Sequence, residues 1–152
     1  MEIQYGHIEK ALADVVGVKP KALGAFRAKL RHLRNIGVPQ LPNPGSGNAI
    51  SYSQRQALEM LIALELEKLG FSPRNVALMA PSITRQSPYG QHDGQDFYIA
   101  LSEGALTYTA LGRASFGEYL EGAPDVFAVI NVSACMRKLN AALDQARDHY
   151  KR

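Results

Sequence analysis

Between Pro20 and Pro39 no proline interrupts the chain, and Leu23, Phe26, Leu30 and Leu33 recur there at the spacing of one helix face. At about 100° per residue these four form one stripe, while Lys21, Gly24, Ala25, Ala28, Arg31 and His32 fall on the opposite side. Pro20 suits a first helical turn, where its missing N–H would have had no partner anyway. The stretch from Lys19 to Arg34 also carries six Lys/Arg and no acid. This predicts a helix that buries one face and presents the other, either to solvent as an ordinary basic face or to a polyanion. For a polyanion, the smooth strip of Gly24, Ala25 and Ala28 permits close approach, and Lys21 and Arg31 reach phosphates or base edges. Gly24 costs about 1 kcal/mol of helix propensity relative to alanine, so its presence calls for a reason.

The positive charge is unevenly placed. Up to Ala80 there are ten Lys/Arg and six Asp/Glu, a balance of +4; from Pro81 onward there are seven and eight, a balance of −1. A polyanion is therefore expected to bind the first half. The 152 residues, 46% apolar and 20% charged, have a globular composition and allow one domain or two small ones. The single cysteine, Cys135, excludes an intrachain disulfide. With no signal peptide or long apolar run in view, the expected location is the cytoplasm, on the nucleoid, with no membrane span.

Taken in order, Ile3 to Val16 reads as a first helix with Ile8, Leu12, Val15 and Val16 on its apolar side, ended by Gly17. The segment VPQLPNPGSGNAISY is too rich in proline and glycine for a helix and reads as a turn or ribbon. Its Asn43, Ser46 and Asn48 are turn formers that also suit phosphate contact. Ser53 and Gln56 form a capping box for a leucine-rich helix closed by Gly70. Ser72 then caps a short helix that begins at Pro73 and is expected to stop at Pro81.

Two of these blocks resemble the MerR family of transcriptional regulators. LADVVGVKPKAL matches the family's first helix, turn and second helix at Leu12, Ala13, Gly17, Val18, Pro20 and Leu23. ISYSQRQALEMLIALELEKLGFSPRNVALM matches its second half at Tyr52, Ser53, Leu58, Leu66, Leu69, Gly70, Phe71, Ser72 and Val76. The resemblance covers about residues 8–79. It implies a winged helix-turn-helix in which the second helix enters the major groove while the wing and the start of the next helix touch the backbone. By position it implicates Lys19, Lys21, Arg27, Arg31, Asn48, Tyr52 and Arg55 in DNA binding. The chain departs from the family at Gly24, Ala25 and Phe26, where an arginine and two aromatics are usual. It also lacks the long dimerising helix that normally follows.

In place of that helix, residues 81–96 read as a polar linker. DFYIAL and LTYTAL then read as a β-hairpin with Phe97, Ile99, Leu101, Leu106, Tyr108 and Ala110 on one face. A loop with Gly117, Gly122 and Pro124 leads to a third strand, VFAVINV. A last helix, capped by Asn131 or Ser133, carries Met136, Leu139, Leu143 and Tyr150 on one side. The expectation is an α+β chain: a winged-helix domain over 1–80, a linker over 81–96, and a small three-stranded sheet covered by one helix over 97–152. The sheet's open edge suits pairing with a second copy. Tyr98, Tyr108, Tyr119 and Tyr150 are either packing or the lining of an effector pocket.

No chemical constellation is visible. His7, His32, His92 and His149 are scattered, and no metal-ligand, phosphate-loop or paired-carboxylate pattern accompanies them. No enzyme activity, metal or cofactor is therefore predicted. Cys135 is either a redox sensor or, as lone apolar-flanked cysteines usually are, inert. The expected function is a dimeric, sequence-specific regulator of transcription on double-stranded DNA, with RNA polymerase or another regulator as a further partner. An excisionase-like architectural DNA protein and a protein-interaction adaptor of the transcription machinery are the alternatives.

Overall fold

Three helices in the first half end alike, and those endings set the path of the chain. In the computed structural model, which describes residues 3–40, 51–86, 96–102, 108–123 and 127–149, helix α1 spans Tyr5–Val16 and helix α2 spans Leu23–Asn35. Past α1, Gly17 takes the left-handed conformation (φ 76°) and the Val18 N–H reaches back to the Ala13 carbonyl at 2.9 Å. Past α2, Gly37 does the same (φ 89°) and the Val38 N–H bonds the Leu33 carbonyl at 2.9 Å. A residue with a Cβ is strained in that conformation, and the apolar residue that follows folds back onto the core. Val38 is fully buried as a result. Helix α3, Gln54–Lys68, closes with the Phe71 N–H on the Leu66 carbonyl at 3.1 Å.

The predicted second helix begins as a single 3-10 turn, Pro20–Ala22, and passes directly into α2. Phe26, Leu30 and Leu33 are buried and Leu23 packs partly against them, so the apolar stripe is the packed face. The first helix starts two residues later than expected. Ile3–Gln4 instead forms a short strand, β1, paired antiparallel with β2, Ser51–Tyr52. The capping box at α3 is present, with the Gln56 N–H on Ser53 Oγ at 3.2 Å and the Ser53 N–H on Gln56 Oε1 at 2.8 Å. Every side chain from Ala57 to Leu64 is buried, which makes α3 the central helix rather than a surface one.

Helix α4, Pro73–Gln86, runs through Pro81. The expected stop there is wrong. An interior proline costs about 3 kcal/mol through its lost hydrogen bond and ring clash, but the turn beyond it buries Ile83 and Thr84, and the Thr84 hydroxyl donates to the Ala80 carbonyl. Burial of that turn outweighs the local penalty. The expected linker is therefore helical as far as Gln86, and residues 87–95 lie outside the described ones.

The second sheet has strand order β4-β3-β5, with β3 Phe97–Ser102, β4 Tyr108–Gly112 and β5 Phe127–Asn131, all antiparallel. Ile99 lies opposite Ala110 on one side and Ile130 on the other. The final helix, α6, spans Val132–His149. Asn131 is its cap, accepting from the Ala134 N–H at 2.8 Å, while the other candidate, Ser133, is buried and accepts from the Phe97 N–H at 2.9 Å. Where a loop was expected there is a further helix, α5, Arg113–Gly122. It lies on the sheet face away from α6, with Phe116 stacked on Tyr98 at 4.9 Å and Tyr119 edge-on to Phe127 at 5.8 Å. The sheet thus has a helix on each face rather than one. Leu139 and Leu143 of α6 join Ile99, Leu101 and Ile130 in the same buried cluster as Ile8, Leu12, Leu30 and Leu61. The two expected halves share one core. The fold is α+β, several helices with two small antiparallel sheets, and no described helix is long and apolar enough to cross a membrane.

Candidate nucleic-acid interface

Burial of Phe26, Leu30 and Leu33 forces the opposite face of α2 outward, and Lys21, Gly24, Ala25, Ala28, Arg31 and His32 are all exposed there. A Cβ added at Gly24 would meet nothing within 4 Å. No close packing among the described residues therefore requires glycine at that position.

The six cations of the stretch fall into two groups. Lys19, Lys21 and Arg31 are exposed and make no ion pair among the described residues. The other three are engaged. Arg27 Nε donates a hydrogen bond to Glu9 Oε1 of α1 at 2.7 Å, and Lys29 Nζ forms an ion pair with Glu67 Oε2 of α3 at 2.8 Å. The Arg34 guanidinium lies over the Tyr5 ring at 4.6 Å, and Tyr5 in turn meets the Tyr52 ring at 6.1 Å. Burial raises the Tyr5 phenol pKa, with Arg34 opposing the shift. Such a half-buried cation on an aromatic face fixes the last turn of α2.

Among the backbone contacts expected beyond α2, Arg55 is exposed in the first turn of α3, and Asn48 lies outside the described residues. Tyr52 is a correction. Its side chain is 1% exposed, and its ring faces Tyr5 in the core, so it cannot touch DNA from this position. The cause is register: pairing of Tyr52 with the buried Ile3 turns its side chain inward. Helix α3 holds the base of the proline-rich segment. Glu59 Oε1 accepts from the Gln40 N–H at 3.2 Å, and Gln56 Nε2 donates to the Gln40 carbonyl at 3.2 Å. Burial raises the Glu59 pKa against the opposing pull of that N–H, Arg85 and Arg55.

Glu9 and Glu67, partners of the helix, were not found from sequence. Glu9 lies 18 residues from Arg27 in the chain and no local spacing signals the pairing. Elsewhere, Cys135 borders a groove of about 270 Å³ between α3, β5 and α6, together with Leu61, Leu69, Ile130 and Lys138. Burial pushes its thiol up to about 11, which keeps it protonated and argues against a reactive sensor. Tyr98 stacks on Phe116 and Tyr119 meets Phe127 edge-on, both as packing. Among the described residues no group of three or more His, Cys, Asp or Glu is placed to hold a metal ion. No protein-family model matches the chain, and no curated protein matches it either.

Proposed function

We propose that this chain is a sequence-specific DNA-binding regulator of transcription, built on a MerR-like winged helix, in which α2 enters the major groove. The carrying observation is the outer face of α2: exposed Lys21 and Arg31 without an ion-pair partner among the described residues, with Gly24, Ala25 and Ala28 exposed between them. A smooth, cationic helix face of this kind meets the geometric demand of the groove, which admits a helix and rewards basic side chains at its edges. Gly24 supports the same reading, since its helix cost is not compensated by any packing contact among the described residues. The order of α1, a glycine turn, α2, a proline-rich segment, a short strand, a capped helix and α4 follows the family's order. Arg55 and Asn48 are assigned to backbone contact, and Tyr52 is not. The active form is a dimer in the cytoplasm, on the nucleoid, since two copies of a groove reader gain affinity and half-site selection.

Selection of a preferred duplex from a random pool, followed by titration against a shuffled control, tests the reading. Arg31→Ala should weaken binding to both duplexes, whereas Lys21→Ala should also narrow the gap between them, by about 1 to 3 kcal/mol if a base contact is lost. Wild-type affinity in both variants would remove α2 from the interface.

A further inference from the structure

We propose that Glu9 and Glu67 hold Arg27 and Lys29 back from DNA, and so set how tightly, and with what salt dependence, the chain binds any duplex. The inference rests on the DNA-binding reading above. Arg27 and Lys29 lie two residues apart on α2 and so project from opposite flanks of it. Each is met by a carboxylate from a different neighbouring helix, Glu9 from α1 and Glu67 from α3, at 2.7 and 2.8 Å. The acids are the buried members of each pair: Glu9 and Glu67 side chains are 15% and 14% exposed, against 59% and 42% for Arg27 and Lys29.

Because the cation of each pair is largely exposed, each pair contributes little to stability. Their effect on the surface is larger. Each cancels one positive charge on a flank of α2 and ties down a side chain that would otherwise sweep the neighbouring phosphates. Non-specific affinity is set by how many phosphates are neutralised and carries no sequence information. Two acids beneath the flanks therefore lower binding to all sequences, while Lys21 and Arg31 at the crest keep their contacts.

The test measures binding of wild type, Glu9→Gln, Glu67→Gln, Arg27→Gln and the Glu9→Gln/Arg27→Gln double variant to preferred and shuffled duplexes over a range of salt. Circular dichroism checks that each is folded. Freed cations should tighten shuffled-duplex binding about five- to tenfold in each single Glu variant at about 0.1 M salt, and steepen the salt slope by about 0.9. The preferred-to-shuffled ratio should stay near its wild-type value, since both duplexes gain the same phosphate contacts. Arg27→Gln should leave the wild-type slope unchanged yet cancel the whole gain in the double variant. Unchanged shuffled-duplex affinity and slope in the folded Glu variants would overturn the inference, as would a flatter slope in Arg27→Gln alone. Absence of any DNA binding by the wild type would instead overturn the reading beneath it.

Discussion

Helices α2 and α5 are of similar length, 13 and 10 residues, and both lie against the body of the chain, yet they are held in opposite ways. Helix α2 drives Phe26, Leu30 and Leu33 into the core and is tied at its flanks to α1 and α3. Helix α5 buries no residue and rests on the sheet through two ring contacts. Under the proposed function, this difference is what a surface that meets a large partner requires. One side of α2 is anchored so firmly that the other is free of structural duties. In α5 neither face is so anchored.

The sharpest break of this comparison is truncation of the anchors. Leu30 is fully buried, so Leu30→Ala should cost about 2 to 5 kcal/mol in denaturant unfolding. Leu120 on α5 is 47% exposed. Leu120→Ala should stay within about 0.5 kcal/mol of wild type. Equal losses at the two positions would mean that α5 is part of the load borne by the core.

The same contrast explains which parts were legible in the sequence. Helices α1 to α3 announce themselves because stripe, cap and closing glycine agree at each end: Ser53 with Gln56, Gly17 after Val16, Gly37 after α2. The strands β3 to β5 were readable from alternation. Helix α5 was not, because Gly117 and Gly122 read as turn residues and no apolar stripe marks a packed face. The β1–β2 pair is not legible in the sequence because Ile3 and Gln4 meet Tyr52 and Ser51 far along the chain, a contact no local pattern encodes. Pro81 was misread for a related reason: local propensity argued for a stop, while tertiary burial of the next turn decided otherwise. In the candidate interface, the outward face of α2 followed from its period. The engagement of Arg27 and Lys29 and the burial of Tyr52 depend on other elements and did not.

A finer separation uses glycine. Gly24 in α2 and Gly117 in α5 are both interior helical positions where a Cβ would meet nothing within 4 Å. Alanine should therefore stabilise either helix by about 0.5 to 1 kcal/mol, chiefly by restricting the unfolded chain. Only Gly24→Ala adds a methyl to the surface assigned to DNA. Thermal unfolding should rise in both variants while duplex binding weakens in Gly24→Ala alone. If Gly24→Ala binds the preferred duplex like wild type, close approach at that position is not the reason for the glycine.

The smallest effects are electrostatic, and they run in opposite directions in the two halves. Burial raises the Glu59 pKa above its ordinary value of 4.5. Across the window from 4.5 to that raised value the native chain binds more protons than the unfolded one, so stability falls as pH rises through it. Asp96 beside α6 behaves inversely: the hydrogen bond from Arg137, at 2.7 Å, holds its carboxyl below 3.8, and the stability it contributes is lost as pH falls through that lower range. Glu59→Gln keeps an oxygen to accept from the Gln40 N–H but removes the titration. Its stability relative to wild type should therefore improve between pH 4 and pH 7, whereas that of Asp96→Asn should worsen as pH rises from 2 to 4. Denaturant midpoints across these ranges provide the check. A pH-independent difference for Glu59→Gln would mean that the Gln40 N–H, Arg85 and Arg55 together fully offset burial, and that the base of the proline-rich segment is held by a carboxylate charged throughout.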